Sequence, residues 1–108
     1  SRGSTWARKW AVSDPMSLAR NAPELLLENE RVRVIRSSIK AGDMVTMHAH
    51  PDHIMYVEKG GRVQLTYPSG ESETMELETG KAIYMNAQSH EAKNVGDTVL
   101  ELVVIELR

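Results

Sequence analysis

The sequence predicts an all-β domain, a barrel or sandwich built from short antiparallel strands. From residue 24 onward, turn residues recur every eight to twelve positions, as in Asn29-Glu30, Gly60-Gly61 and Pro68-Ser69-Gly70. Between these turns, apolar and polar residues alternate with the period of two that half-buried strands show. Regularly spaced strands of this kind are typical of sandwiches and barrels.

Residues 1–22 are predicted to form an arm, and residues 23–108 to form the β domain. Trp6 and Trp10 are four positions apart, which places them on one side of a short helix. We expect them to cover an edge or one end of the barrel; a membrane-surface helix is the less favoured alternative. Asp14-Pro15 is expected to start a helical turn, because proline suits the first helical position, and Pro23 to end it.

The strands are expected in the following order along the domain. The predicted segments are 25–27, 31–34, a histidine-rich segment after Gly42, 62–67, 73–77, 81–85 and 99–107. Residues 102–105 are all apolar without interruption. We therefore expect the last strand to lie between two covered surfaces.

The amino-acid composition excludes several classes of protein. The chain has 108 residues, 41% hydrophobic and 26% charged, as expected for one globular domain with a modest core. A net charge of −2 without a basic stripe gives no reason to expect nucleic acid, and no apolar run is long enough to span a membrane. The absence of cysteine excludes thiolate ligands and a cysteine nucleophile. We expect a cytoplasmic protein; an exported form stays open because the chain begins at Ser1.

Three of the four histidines are clustered in one short segment. His48 and His50 are two residues apart, so on a strand they share a face. Pro51 breaks that strand, and a bend there would bring His53 back toward the first two. His90 follows forty residues downstream of His50. Neutral imidazoles in such a group suit zinc, copper, iron or nickel.

Two motifs around these histidines resemble those of the cupin family. Gly42, His48-x-His50 and Gly60 resemble the first cupin motif, and Gly80, Asn86-Ala87-Gln88-Ser89-His90 and Asn94 resemble the second. The chain is most similar to short single-domain cupins, some of them assigned to β-alanine degradation. The resemblance implies a jelly-roll barrel, or double-stranded β-helix. It also implies one divalent transition metal per chain (Fe, Zn, Ni, Cu or Mn), held by His48, His50 and His90.

His53 stands where the family usually has a glutamate ligand, and three interpretations of it stay open. It is a fourth ligand, a neighbouring acid/base group, or an exposed loop residue beside Asp52. Four neutral imidazoles would leave the charge of the ion uncompensated, which favours an anionic ligand at an open position. They could also close a tetrahedral zinc site that is only structural.

Other side chains near the two motifs are candidates for the wall of the site. Strand parity places Met44 on the face of His48 and His50, and Met55 on the face of His53, so we expect both to line the barrel with Val57. Tyr84 and Gln88 are candidates to supply a hydroxyl and an amide near the metal. With His53 they are the candidate catalytic residues.

Two functions fit the sequence. The first is a metalloenzyme, dioxygenase-like or lyase-like, that acts on a small polar or carboxylate-bearing metabolite. The second is a non-catalytic metal-binding or ligand-binding protein, such as a sensor. In either case we expect a small-molecule ligand and a homodimer, because the arm and the apolar last strand offer surface to cover.

Overall fold

The protein is described here by a computed structural model, which covers residues 14–18 and 21–108. Trp6 and Trp10 lie outside the described residues. A 3-10 turn, Pro15–Ser17, precedes nine described strands. These are β1 Glu24–Glu28, β2 Val32–Ile39, β3 Met44–His50, β4 His53–Lys59, β5 Gly61–Thr66, β6 Ser72–Leu77, β7 Ala82–Met85, β8 Gln88–Asn94 and β9 Leu100–Leu107. The prediction of an all-β domain is confirmed.

The strands form two antiparallel sheets. The larger has the order β1-β2-β9-β4-β7, and the smaller has the order β3-β8-β5-β6. The last strand, β9, is therefore central in the larger sheet, where it pairs with β2 and β4. β3 and β4 carry three histidines and are joined by Pro51-Asp52, yet they belong to different sheets. The bend at Pro51 thus carries the chain from one sheet to the other.

The hydrophobic core lies between the sheets and receives side chains from both. The larger sheet contributes Ile35, Ile39, Met55, Val57, Leu100, Leu102 and Val104, and the smaller contributes Val45, Val63, Leu65, Leu77 and Ala92. In β9 this follows from strand alternation, since Leu102 and Val104 are buried while Val103 and Ile105 are only half-buried. One face of β9 is thus covered as predicted, and its other face is covered only in part.

The segment before β1 forms the predicted helical turn. The Asp14 carboxylate accepts a hydrogen bond from the Met16 amide at 2.8 Å, which caps the turn in front of Pro15. The turn ends at Ser17. Pro15 is buried, and Met16 and Leu18 pack against the core. No helix in the described part of the chain is long and apolar enough to cross a membrane.

A β-bulge changes which residues of β3 face the interior. Val45 pairs with Ala92 and His48 pairs with His90, with a register shift between the two rungs. The extra residue lets Val45 and His48 point inward although they are three positions apart. The prediction that Met44 shares the face of the histidines is therefore wrong, because simple alternation does not continue through the bulge.

Two residues of the motifs fix the backbone at the ends of strands. A side chain on Gly60 would overlap the carbonyl oxygen of Leu77, so only glycine permits the turn between β4 and β5 to lie this close to the end of β6. Asn94 is fully buried; its amide donates to the carbonyls of Ile39 at 2.8 Å and Thr98 at 2.7 Å. These bonds tie the end of β8 to β2 and hold β8, which carries His90, in register.

Candidate metal centre

Strand pairing brings the four histidines together inside the barrel. His48 on β3 is the direct cross-strand partner of His90 on β8, and His50 follows two residues later on the same face. After the bend at Pro51, His53 opens β4 in the opposite sheet, where it pairs with Glu106. All four imidazoles are buried, with exposed fractions of 2–8%.

The ring geometry defines a group of three. The ring centres of His50 and His90 each lie 4.8 Å from that of His48, in edge-to-face arrangements. One ligand nitrogen from each of these three lies within 4.8 Å of the other two. The ring of His53 lies 4.7 Å from that of His50, so it borders the group from the other sheet.

The hydrogen bonds of the imidazoles leave one kind of nitrogen free for a metal. Nδ1 of His48 lies 2.7 Å from the carbonyl oxygen of Thr46, and Nδ1 of His53 lies 2.7 Å from that of Pro51. Since a carbonyl oxygen only accepts, each Nδ1 must carry the proton. Nε2 then has the lone pair. Histidines that ligate a metal usually donate their other ring N–H to an acceptor in this way, which fixes the tautomer.

His90 and His50 are oriented in the same way by side chains. Nδ1 of His90 donates to the amide oxygen of Gln88 at 2.9 Å, so Gln88 orients the ring of His90. Nδ1 of His50 donates to Oε2 of Glu106 at 2.6 Å. Oε1 of Glu106 accepts from Nε of Arg33 at 2.7 Å, and Arg33 also pairs with Asp14 at 3.0 Å.

The electrostatics of the site favour neutral His48, His53 and His90 and an ionised Glu106. Burial lowers the pKa of His48 and His53, and burial with the other histidines lowers the pKa of His90 to about 3. For Glu106, burial raises the pKa, but the hydrogen bond from His50 and the charge of Arg33 outweigh it and lower the pKa overall. Neutral imidazole is the form that binds a metal.

Sequence reasoning missed Glu106 and Arg33. The signal for Glu106 was available, because it continues the inward series of Leu102 and Val104 and is a charged residue at a core position. The burial of Arg33 could be inferred in the same way, because Arg33 lies two positions from the buried Ile35 on β2 and so shares its inward face. Neither residue was a candidate, because both lie outside the two histidine motifs on which the resemblance rests.

The structure places Tyr84 away from the other candidates. Its side chain is 57% exposed. In the sheet, Tyr84 pairs with Ile54, the neighbour of the inward-facing His53, so Tyr84 faces outward. It does not line the cavity beside the histidines.

An apolar cavity of about 60 Å³ adjoins the four histidines. Met55 lines it as predicted, whereas Val57 is fully buried in the core without lining it. Met75 and Met85 line it as well. Thioether side chains fill irregular apolar space and adapt readily, so this cavity has a deformable wall.

Comparison with known families identifies the fold. The family model for the cupin domain matches residues 35–106, about two thirds of the chain. The chain belongs to the cupin family. The prediction from the two histidine motifs is thereby confirmed, and with it the double-stranded β-helix. A search of curated proteins gives no match for this cupin.

Solved structures resemble this cupin over most of its length. A cupin domain from Bordetella pertussis Tohama I is 28% identical with a TM-score of 0.73, covering 80% of this chain and 91% of that one. An uncharacterised protein with a double-stranded β-helix domain from Klebsiella pneumoniae is 19% identical (TM-score 0.64; 82% and 79% covered). An RmlC-like cupin family protein from Methanocaldococcus jannaschii is 20% identical (TM-score 0.62; 79% and 77% covered). The last two likenesses concern the fold alone.

Proposed function

We propose that this cupin binds one divalent transition-metal ion through Nε2 of His48, His50 and His90. The single observation that supports this most is the hydrogen bonding of the rings. Each histidine at the centre has its Nδ1 engaged by an acceptor, at distances of 2.6–2.9 Å. Four buried histidines that only filled the core would not need the same nitrogen left free on each.

The site is proposed to serve a metalloenzyme of dioxygenase-like or lyase-like type. The ion would supply Lewis acidity, which polarises an oxygen atom of a bound ligand and lowers the pKa of its protons. The protein's own residues have separate tasks. Glu106 and Gln88 hold the rings of His50 and His90 in place, and the apolar wall excludes water from the reacting groups.

The role of His53 decides between catalysis and binding. The side chains that line the cavity carry no ionisable group other than the four imidazoles. If His53 does not ligate the ion, its Nε2 is available as a general base, and an enzyme is favoured. If His53 completes a four-histidine set, no acid/base group remains in the cavity. The non-catalytic sensor or binding protein is then favoured.

Metal analysis tests the proposal most directly. Protein purified without added metal is expected to contain close to one equivalent of a transition metal, and chelated protein to take up one equivalent. Oxygen uptake and product analysis with a panel of short substituted carboxylic acids then separate the enzyme from the binding protein. A chelated protein that takes up no Zn²⁺, Fe²⁺, Ni²⁺, Cu²⁺ or Mn²⁺ would refute the metal site.

We also propose that this cupin forms a homodimer through the outer face of its larger sheet. Cross-strand pairing places Leu27, Val34, Ile105, Ile54 and Tyr84 in one row across all five strands. Leu27 and Tyr84 are 50% and 57% exposed, and the other three are half-buried. A continuous apolar row on a sheet face is a feature of surfaces that are covered by a partner.

A further inference from the structure

We propose that the ligand of this site is a small molecule with one anionic, metal-coordinating head and an apolar body. This inference rests on the proposed function and narrows it, because the sequence left open any small polar or carboxylate-bearing metabolite. It is carried by the composition of the cavity and by the way its polar and apolar parts are separated along the barrel.

The wall of the cavity has almost no hydrogen-bonding groups that could bind a polar ligand body. Apart from the four histidines and Ser37, every residue that lines it is apolar. The buried charges nearby, Arg33 and Glu106, are paired with each other at 2.6 Å and do not line the cavity. A polar group buried against such a wall loses its hydration without replacement, which costs about 1–3 kcal/mol in proteins.

The polar and apolar parts of the cavity lie on successive rungs of the larger sheet. His53 pairs with Glu106 in one rung, and the next inward-facing rung pairs Met55 with Val104. One rung therefore has an imidazole and a carboxylate, and the adjoining rung has only apolar side chains. Beyond the histidines, Ser37 on β2 is the only lining residue of the larger sheet with a side-chain hydrogen-bonding group.

The smaller sheet has the same arrangement. The rung of His48 and His90 is followed, across the bulge, by the rung of Val45 and Ala92. In both sheets, imidazole side chains thus give way to apolar ones on the next inward-facing rung. A carboxylate, enolate or similar anion fits at the histidine level, where the ion would compensate its charge, and an alkyl or other apolar body fits beyond it.

Isothermal titration of the full-length protein loaded with Zn²⁺ tests this with defined probes. Acetate, butyrate and hexanoate have the same head and differ only in apolar length. Each buried methylene contributes about 0.8 kcal/mol, so affinity is expected to rise about fourfold per methylene. Adipate has the length of hexanoate but a second carboxylate, and it is expected to bind at least about tenfold more weakly than hexanoate.

A pair of substitutions locates the apolar part. Ala92→Leu fills the cavity beyond the histidines and is expected to weaken hexanoate about tenfold or more while leaving acetate unchanged. Ala82→Leu makes the same change on an exposed position of β7 and is expected to leave both affinities unchanged. If Ala92→Leu does not fold, Val63→Ile supplies a smaller filling of the same cavity.

The outcomes separate this inference from the proposed function. If Zn²⁺ binds but the three carboxylates bind equally or not at all, or adipate matches hexanoate, the ligand class is refuted and the metal site stands. If Zn²⁺ does not bind, the proposed function fails. The chelated protein is then titrated with butan-1-ol and hexan-1-ol, whose affinities must still differ by the factor expected for two methylenes.

Discussion

Glu106 accepts a hydrogen bond from Nδ1 of His50 at 2.6 Å and at the same time holds Arg33 with its other oxygen. Both carboxylate oxygens are thus occupied by the protein, and Glu106 is 2% exposed. The first cupin motif of this chain has His53 where a glutamate is usual. The Glu106 carboxylate therefore lies behind the ring of His50 and is not one of the candidate ligands.

This relationship predicts the effect of Glu106→Gln. The amide keeps the size of the side chain but loses the charge that stabilises His50 and pairs with Arg33. Loss of such a partner typically lowers metal affinity 10–100-fold, and we expect a decrease in that range in a competition titration with a chromophoric chelator. Glu101→Gln, on the same strand but facing outward, is the matched control. Equal affinities for the two variants would contradict a positioning role for Glu106.

The role of His53 is tested by a comparison of alanine variants. If it is a ligand, His53→Ala lowers metal affinity as much as His50→Ala does, and His53→Glu retains the ion because it restores the usual cupin donor set. If it is an acid/base group, His53→Ala keeps full affinity and loses turnover. Metal titration and turnover measured on the same samples distinguish these results. Unchanged affinity and turnover would exclude both roles.

The sequence was sufficient to predict the histidine cluster but not every direction of its side chains. His48, His50 and His90 follow from motif spacing, and strand pairing then brings them together. Met44 was misplaced because the β-bulge after Val45 has no glycine or proline to indicate it. The direction of Tyr84 depends on its pairing with Ile54, a contact between strands that are far apart in the sequence.

For Glu106, the sequence could predict burial but not the contacts of the side chain. Its burial could be inferred from parity with Leu102 and Val104, but its partners could not. His50 is 56 residues away in the sequence and Arg33 is 73. Such a contact depends on the order of the strands in the sheet, in which β9 lies between β2 and β4. The local sequence has no information on that order, which the family resemblance supplies only in general form.

The proposed homodimer predicts that a charge at the centre of the apolar row separates the subunits. Ile105→Asp places a carboxylate between Val34 and Ile54, where burial against a partner would cost several kcal/mol. We expect light scattering at micromolar concentration to give the mass of two chains for the unmodified protein and of one chain for the variant. Val95→Asp, at an exposed position off this sheet, is the control and should stay dimeric. A monomeric unmodified protein would refute the dimer.

The lowered histidine pKa values predict how the stability of the chelated protein depends on pH. His48, His53 and His90 have folded-state pKa values below the unfolded value of 6.5, and that of His90 is about 3. Below pH 6.5 the unfolded chain therefore binds more protons than the folded one. The free energy of unfolding then decreases as the pH is lowered. Each histidine contributes a slope of up to about 1.4 kcal/mol per pH unit. Glu106, whose pKa is also lowered, adds a loss of the same sign below its unfolded value of 4.5.

Metal-loaded protein is expected to lose its additional stability over the same range. Metal and protons compete for the same nitrogens, so once free ligands are protonated, apparent affinity falls by up to about tenfold per pH unit for each one. Because metal bound only to the folded state stabilises by mass action, the melting temperature with Zn²⁺ should approach that with chelator as pH falls through the lowered folded-state pKa values, which lie below 6.5 and for His90 at about 3. His90→Gln removes one titrating imidazole, and the unfolding free energy of the metal-free variant should depend less steeply on pH, by about 1.4 kcal/mol per unit. Urea unfolding and melting curves at half-unit steps of pH measure both effects. Melting curves with Zn²⁺ and with chelator that coincide at every pH would mean that the four buried imidazoles do not form a metal site.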